Sequence, residues 1–267
     1  MLSGSLAVKS TAKVALKNNW TNVIIGSCIF MFSVLICNIT ASIINIALGQ
    51  IGSFIILFAG TVFLSMPLFL GLLRYIWRIL LGVCDNPVSV FYYFSQKCLY
   101  KKAMVLIFVL GIRALLWYAV LNIPSLVVKI VSSEVVYELL NVPMPIWTAN
   151  LNNTVVFLNS LSAVLLCLIM LKLYLSPMLF VADDNIEVAE AIHMSTVISK
   201  KTAIDYIYLI FSFLGWIVIS LFIIPLIFTL PYILTSYLVH SRFAVADYNN
   251  HIENSHKNDF SYDNVEF

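Results

Sequence analysis

The stretch from residue 176 to residue 201, SPMLFVADDNIEVAEAIHMSTVISKK, lies between two long apolar runs and decides how the chain is organised. The preceding run ends at Ala182, and a mixed polar interval then leads to the lysine pair Lys200 and Lys201 before the next run begins. Apolar runs of more than about 18 residues are typical of membrane-spanning helices. We therefore interpret the interval as a short connection between two membrane segments.

The composition supports the same class of protein. Hydrophobic residues make up 61% of the 267 residues and charged residues only 10%, whereas soluble domains carry about 25% charged residues. Transmembrane β-strands would show alternating segments of about ten residues, not continuous apolar runs. The expected fold class is therefore all-α, a polytopic membrane helix bundle.

The apolar runs predict about six transmembrane helices in a single membrane domain, residues 21–246. The last run exceeds 40 residues, and one helix of that length would reach about 60 Å, twice the hydrocarbon thickness of a bilayer. It is therefore expected to fold back near Pro225 and Pro231, and the break from Gly49 to Gly52 separates the first two helices. The predicted spans are 21–48, 53–81, 103–130, 153–181, 203–222 and 226–246.

The two ends of the chain are polar. In the N-terminal segment, residues 1–20, Lys9, Lys13 and Lys17 recur at helical spacing and predict an amphipathic helix with a lysine stripe toward anionic headgroups. The C-terminal tail, residues 247–267, is expected to be disordered. An irregular interval, residues 131–152, contains Pro143, Pro145 and Trp147.

The distribution of basic residues predicts the orientation. With six alternating spans, 12 of the 15 lysines and arginines fall on the side that holds both termini and both polar intervals. Lysine and arginine are enriched on the cytoplasmic side of membrane proteins. Both termini are therefore expected in the cytoplasm.

The two polar intervals share a spacing. Asp85 lies 16 residues before Lys101, and Asp184 lies 16 residues before Lys200. Each aspartate is followed by asparagine and each lysine is doubled. We interpret residues 84–102 and 182–201 as two amphipathic helices on the cytoplasmic interface and, as a hypothesis, as parts of an internal repeat. The expected contacts with lipid headgroups are Lys101, Lys102, Lys200 and Lys201.

Several short stretches, taken in order, resemble a known family. They are AKVALKNNW (residues 12–20), MPLFLGLLRYIWRILLG (66–82), LSPMLFVADDN (175–185) and FSFLGWIVI (211–219), followed by Leu-Pro-Tyr. Together they are similar to the bacterial membrane proteins catalogued as domain-of-unknown-function family 975, over residues 7–248. The resemblance implies a six-helix bacterial inner-membrane protein of uncharacterised activity and brings no catalytic residues. The family's glycine-rich turn before the last Pro-Tyr is missing, because residues 222–230 contain Pro225 and no glycine.

Two charged residues fall inside predicted membrane helices. Arg113 lies in the third segment and Lys172 in the fourth. Charges at that depth cost about 2.5–3.5 kcal/mol and mark candidate functional sites. One interpretation is a basic pocket for an anionic lipid or substrate. The other is that both long side chains reach the interface along their own helices.

Sequence motifs of enzymes and metal sites were not found. The chain contains no GxSxG, HExxH or Walker sequence. Its five cysteines form no CxxC pair and its four histidines share no ligand spacing, so neither a metal nor a cofactor is expected. The acidic residues Asp183, Asp184, Glu187 and Glu190 fit the start of a helix better than a cation site.

These observations favour a non-enzymatic accessory protein or an anionic-lipid-interacting scaffold of the bacterial cytoplasmic membrane. The alternative is a small transporter or permease component with a basic site between the third and fourth helices, since broken helices and repeated halves occur in transporters. A membrane-embedded hydrolase or transferase is a third class. The expected partners are membrane lipids with anionic headgroups, and no nucleic acid.

Overall fold

The computed structural model describes residues 2–17, 19–83, 85–139 and 151–262. Within these ranges every regular element is helical, which confirms the all-α class. Cys84, the prolines Pro143 and Pro145, Trp147 and the last five residues lie outside the described residues. Three described segments are long and apolar enough to cross a membrane, namely Trp20–Leu80, Lys97–Val131 and Asn153–Ala182.

The ten α-helices of the described ranges follow one another with short 3₁₀ or π turns between some of them. They are α1 (Leu2–Leu16), α2 (Trp20–Gly60), α3 (Met66–Leu80), α4 (Lys97–Val131), α5 (Glu134–Leu139), α6 (Leu151–Met170), α7 (Ser176–Ala182), α8 (Val188–Ser212), α9 (Leu214–Ile219) and α10 (Ile223–Tyr262).

The first apolar segment is a hairpin. Gly49 has φ 72° and ψ −172°, a non-helical conformation that interrupts α2 and that glycine adopts without steric cost. The Phe30 and Phe69 rings lie 5.6 Å apart, and Cys37 Sγ lies 3.8 Å from the Ser65 hydroxyl. These pairs are placed nearly symmetrically about Gly49, so the two arms run antiparallel on either side of it.

The chain forms two compact units. The first takes residues up to 107 and from 175 onward, and the second takes residues 108–174. The core of the first unit lies around α3, where Leu72, Leu73 and Ile76 are fully buried. In the second unit α4 and α6 are joined by polar contacts, because the Ser125 hydroxyl donates to Asn159 at 2.5 Å and the Ser162 hydroxyl to Asn122 at 3.3 Å. Such hydrogen bonds commonly hold membrane helices together.

The two polar intervals differ from the prediction and from each other. The first forms a 3₁₀ helix, Pro87–Phe94, whose start is capped by the Asn86 side chain accepting from the Val88 amide. Helix α4 then begins at Lys97, six residues earlier than expected. The second interval is no separate helix, since α8 runs from Val188 to Ser212 without proline or glycine to stop it. The shared spacing therefore does not give a shared structure, and the internal repeat stays a hypothesis.

The fourth and last apolar segments also depart from single helices. Between α6 and α7 the chain tightens into a 3₁₀ turn, Leu171–Leu173, just before Pro177, which lacks the amide hydrogen that an unbroken helix needs. The last run folds back as predicted, but its turn lies at residues 220–222 and Pro225 falls inside α10. Helix α10 continues to Tyr262, so residues 247–262, expected to be disordered, are helical. No proline or glycine follows Pro231 to end that helix.

The N-terminal helix α1 packs on α8 and α10. Val8, Ala12 and Leu16 are buried along one face, as an amphipathic helix requires. Lys9 departs from the predicted lysine stripe, because its amine donates to the Ser212 carbonyl at 2.7 Å. Lys13 and Lys17 are exposed.

Candidate functional site

A buried arginine with a carboxylate partner lies where α3 meets the segment after α7. Arg74, on α3, is only 8% exposed. Its guanidinium donates to both carboxylate oxygens of Asp184, with Nη2 at 2.8 Å from Oδ2 and Nη1 on Oδ1. A fork of this kind is the geometry in which arginine binds carboxylates most strongly.

Aromatic residues of the 3₁₀ helix cover this ion pair. The guanidinium carbon of Arg74 lies 3.6 Å from the centroid of the Tyr92 ring, a cation–π contact. The neighbouring ring of Tyr93 stacks on Phe180 of α7 at 5.8 Å. Burial raises the pKa of Tyr93 well above its ordinary value, so that phenol stays protonated. The first polar interval thereby packs on Arg74 and on α7.

A second ion pair and a lysine complete the cluster. Arg78, one turn beyond Arg74, pairs through Nε with Asp85 Oδ2 at 2.6 Å. The Lys102 amine donates to the backbone carbonyl of Asp184 at 3.2 Å. The aspartates that open both polar intervals are therefore held by arginines of one helix, α3. Arg74, Arg78, Asp85 and Tyr92 line a cavity of about 20 Å³, room for one water molecule. The cluster thus joins α3 to both polar intervals.

Close backbone approach holds the 3₁₀ helix on α3. A Cβ added to Gly71 would overlap the carbonyl oxygen of Val90. Val90 is itself fully buried. Only glycine leaves the space that this contact needs.

The chain matches one family model, described as Protein of unknown function (DUF975), over residues 1–243. The chain belongs to the DUF975 family. No curated protein and no solved structure matches. The match to DUF975 includes all the residues of the Arg74 cluster, and it ends within α10. The Arg74–Asp184 pair joins two of the stretches that carry the family resemblance. They are residues 66–82 and 175–185.

A groove with a basic rim lies next to the cluster. It has a volume of about 360 Å³ and runs between the start of α4 and the start of α8. Lys101 and Lys102 line it together with apolar side chains, among them Val105 and Ile186. Glu187 also lies on its rim. Lys101 is exposed and Lys102 is half-buried.

The other predicted site residues are not among those that line this groove. Lys200 and Lys201 are exposed on α8. Arg113 is exposed on α4, and Lys172 is exposed on the 3₁₀ turn after α6. The polar contacts given above between α4 and α6 involve Ser125, Asn159, Asn122 and Ser162.

Sequence reasoning missed Arg74 as a site residue. From the sequence, Arg74 and Arg78 were counted only among the 12 basic residues that set the orientation, and Asp184 was assigned to the start of a helix. One signal was present, since Arg74 stands inside the apolar run of α3 with Leu72, Leu73 and Ile76 around it. An arginine in an apolar run needs an acidic partner, so the sequence indicates that a partner exists. It does not identify Asp184, because Asp184 is 110 positions away.

Proposed function

We propose that this DUF975 protein is a non-enzymatic membrane protein that binds anionic lipid headgroups on the cytoplasmic side and acts as an accessory or scaffold. The supporting observation is the groove between α4 and α8, which Lys101 and Lys102 line together with apolar side chains such as Val105 and Ile186. A lysine amine attracts a phosphate headgroup, and an apolar wall fits the first carbons of an acyl chain. Lys200 and Lys201 contact headgroups at the surface without a groove.

The proposal includes a location and an orientation. We place the protein in the bacterial cytoplasmic membrane with both termini in the cytoplasm, because 12 of the 15 basic residues belong to that side. The two arms of the first hairpin, α4, and the segment from α6 to α7 supply four crossings. We assign the fifth and sixth crossings to the last apolar run, residues 203–222 and 226–246.

The test is retention of lipid by native mass spectrometry in mild detergent, with phosphatidylglycerol and phosphatidylcholine offered together. We expect preferential retention of phosphatidylglycerol, reduced roughly tenfold or more in the double variant Lys101→Gln, Lys102→Gln. Each lysine near an anionic group contributes about 1 kcal/mol, and about 1.4 kcal/mol corresponds to tenfold.

Two controls make the result specific. The double variant Lys200→Gln, Lys201→Gln removes the same charge outside the groove and should keep the bound lipid. Lys101→Gln alone leaves the Lys102 bond to Asp184 intact, so its loss of lipid is independent of the neighbouring cluster. Equal retention by wild type and both groove variants would refute the proposal.

The same measurement tests the transporter alternative. A basic site between α4 and α6 requires Arg113→Ala and Lys172→Ala to lose a bound anion. Because both side chains are exposed, we expect these variants to retain lipid as the wild type does. Loss in both would favour the alternative.

A further inference from the structure

The first arm of α2 carries polar side chains on an exposed face. Asn38, Ser42 and Asn45 are exposed, and they lie within about 60° of one another around the helix at 3.6 residues per turn. We call these three residues the α2 polar stripe. The apolar side chains beside it are exposed as well, with Leu35 at 51% and Ile46 at 89%.

The stripe lies at membrane depth. Trp20–Leu80 is long enough and apolar enough to cross a membrane, and its first arm ends at the Gly49 break. Asn38 precedes Gly49 by about 16 Å at 1.5 Å per residue, close to the middle of a hydrocarbon core of about 30 Å. Acyl chains offer no hydrogen bonds, so a polar group at that depth has to find its partners in protein.

The helix satisfies only part of the Asn38 side chain. The amide nitrogen donates to the Val34 carbonyl at 2.8 Å, but among the described residues no donor bonds the side-chain oxygen. The helix itself cannot supply that donor, because its backbone N–H groups bond the carbonyls one turn back. The Ser42 hydroxyl also donates elsewhere, to the backbone carbonyl of Asn38 at 2.9 Å.

Helices α4 and α6 show how such an asparagine is completed. The Asn122 amide nitrogen donates to the Tyr118 carbonyl of its own helix at 2.8 Å, and the Asn122 side-chain oxygen accepts from the Ser162 hydroxyl of α6 at 3.3 Å. Asn38 has the first of these two bonds and lacks the second. Asparagine commonly bonds one membrane helix to another, so the stripe indicates a further helix.

We infer that the α2 polar stripe is the interface with a second copy of this chain. Two copies in the same orientation place the same residue at the same depth, and a twofold axis along the membrane normal brings residues near it against their own counterparts. A carboxamide has two N–H donors and an oxygen acceptor. The second N–H of each Asn38 therefore matches the free oxygen of the other. The inference requires that the first arm crosses the membrane, and it does not depend on the lipid groove.

The test is disulfide cross-linking in vesicles by copper phenanthroline, with Ser42→Cys in a variant whose native cysteines are replaced by alanine. The matched control is Ile43→Cys, since Ile43 is 61% exposed, lies at nearly the same depth and faces about 100° away. We expect a disulfide-linked dimer to form at least tenfold faster in Ser42→Cys than in Ile43→Cys. Equal rates, or no dimer in either protein, would overturn the inference.

A second comparison tests whether the asparagines hold the dimer. Adding Asn38→Leu and Asn45→Leu to the Ser42→Cys protein should slow its cross-linking about tenfold, since two interhelical hydrogen bonds are lost. Thr40→Val is the control, because Thr40 is exposed outside the stripe and its hydroxyl donates to the Ile36 carbonyl of its own helix. This variant should cross-link as before. Unchanged cross-linking without the two asparagines would contradict the proposed interface.

Discussion

Asp184→Ala is expected to lower the free energy of unfolding by about 2–3 kcal/mol, and by more than Arg74→Met does. The Arg74 side chain is 10% exposed and that of Asp184 is 44% exposed. Breaking a buried ion pair costs about 3–5 kcal/mol, and solvent screening at the half-exposed aspartate reduces that figure. Removing the aspartate leaves a buried guanidinium without its carboxylate, whereas removing the arginine leaves a carboxylate that water can solvate.

The measurement is the thermal unfolding midpoint of the two single variants and of the double variant in one detergent. The double variant is expected to be more stable than Asp184→Ala, because no buried charge remains. Equal losses in the two single variants, or a double variant whose loss is the sum of both, would show that the pair does not act as described.

Gly71→Ala is expected to be the most destabilising small substitution in the chain. The added methyl group overlaps the carbonyl oxygen of Val90, a backbone atom that no rotamer change can move. Overpacking costs about 1–3 kcal/mol and occasionally more, and displacement of the 3₁₀ helix would also separate Tyr92 from Arg74. We expect a loss of about 3 kcal/mol or failure to accumulate in the membrane.

Gly111→Ala is the matched control. Gly111 lies within α4, and a Cβ there meets nothing within 4 Å. Alanine favours a helix over glycine by about 1 kcal/mol, so this variant should equal or exceed the wild type in stability. The comparison uses unfolding midpoints and expression levels. A Gly71→Ala protein as stable as Gly111→Ala would contradict the close contact between α3 and the 3₁₀ helix.

The parts of the fold that follow from local chemistry could be predicted from the sequence. The apolar runs predict the long helices, and the break at Gly49 predicts the first hairpin because only glycine takes that conformation readily. The amphipathic N-terminal helix and the Asn86 cap also follow from neighbouring residues. Each of these features depends on residues close together in the sequence.

The site depends on residues far apart in the sequence. Arg74 and Asp184 are 110 positions apart, and periodicity carries no information about which charges meet. The predicted equivalence of the two polar intervals did not extend to structure, since Pro87 opens a 3₁₀ helix while the second interval lacks a helix breaker after Val188. Lys9 was assigned to the headgroups because nothing local indicates its contact with Ser212.

Protection of Cys98 tests the central claim, binding of anionic lipid in the groove, most directly. Cys98 lines the groove and is exposed, so its alkylation by N-ethylmaleimide reports occupancy in a variant with Cys28, Cys84 and Cys167 replaced by alanine. We expect alkylation to be slower in vesicles containing phosphatidylglycerol than in phosphatidylcholine alone, and the difference to disappear in Lys101→Gln, Lys102→Gln. The same slowing with and without the two lysines would mean that the groove does not hold the lipid.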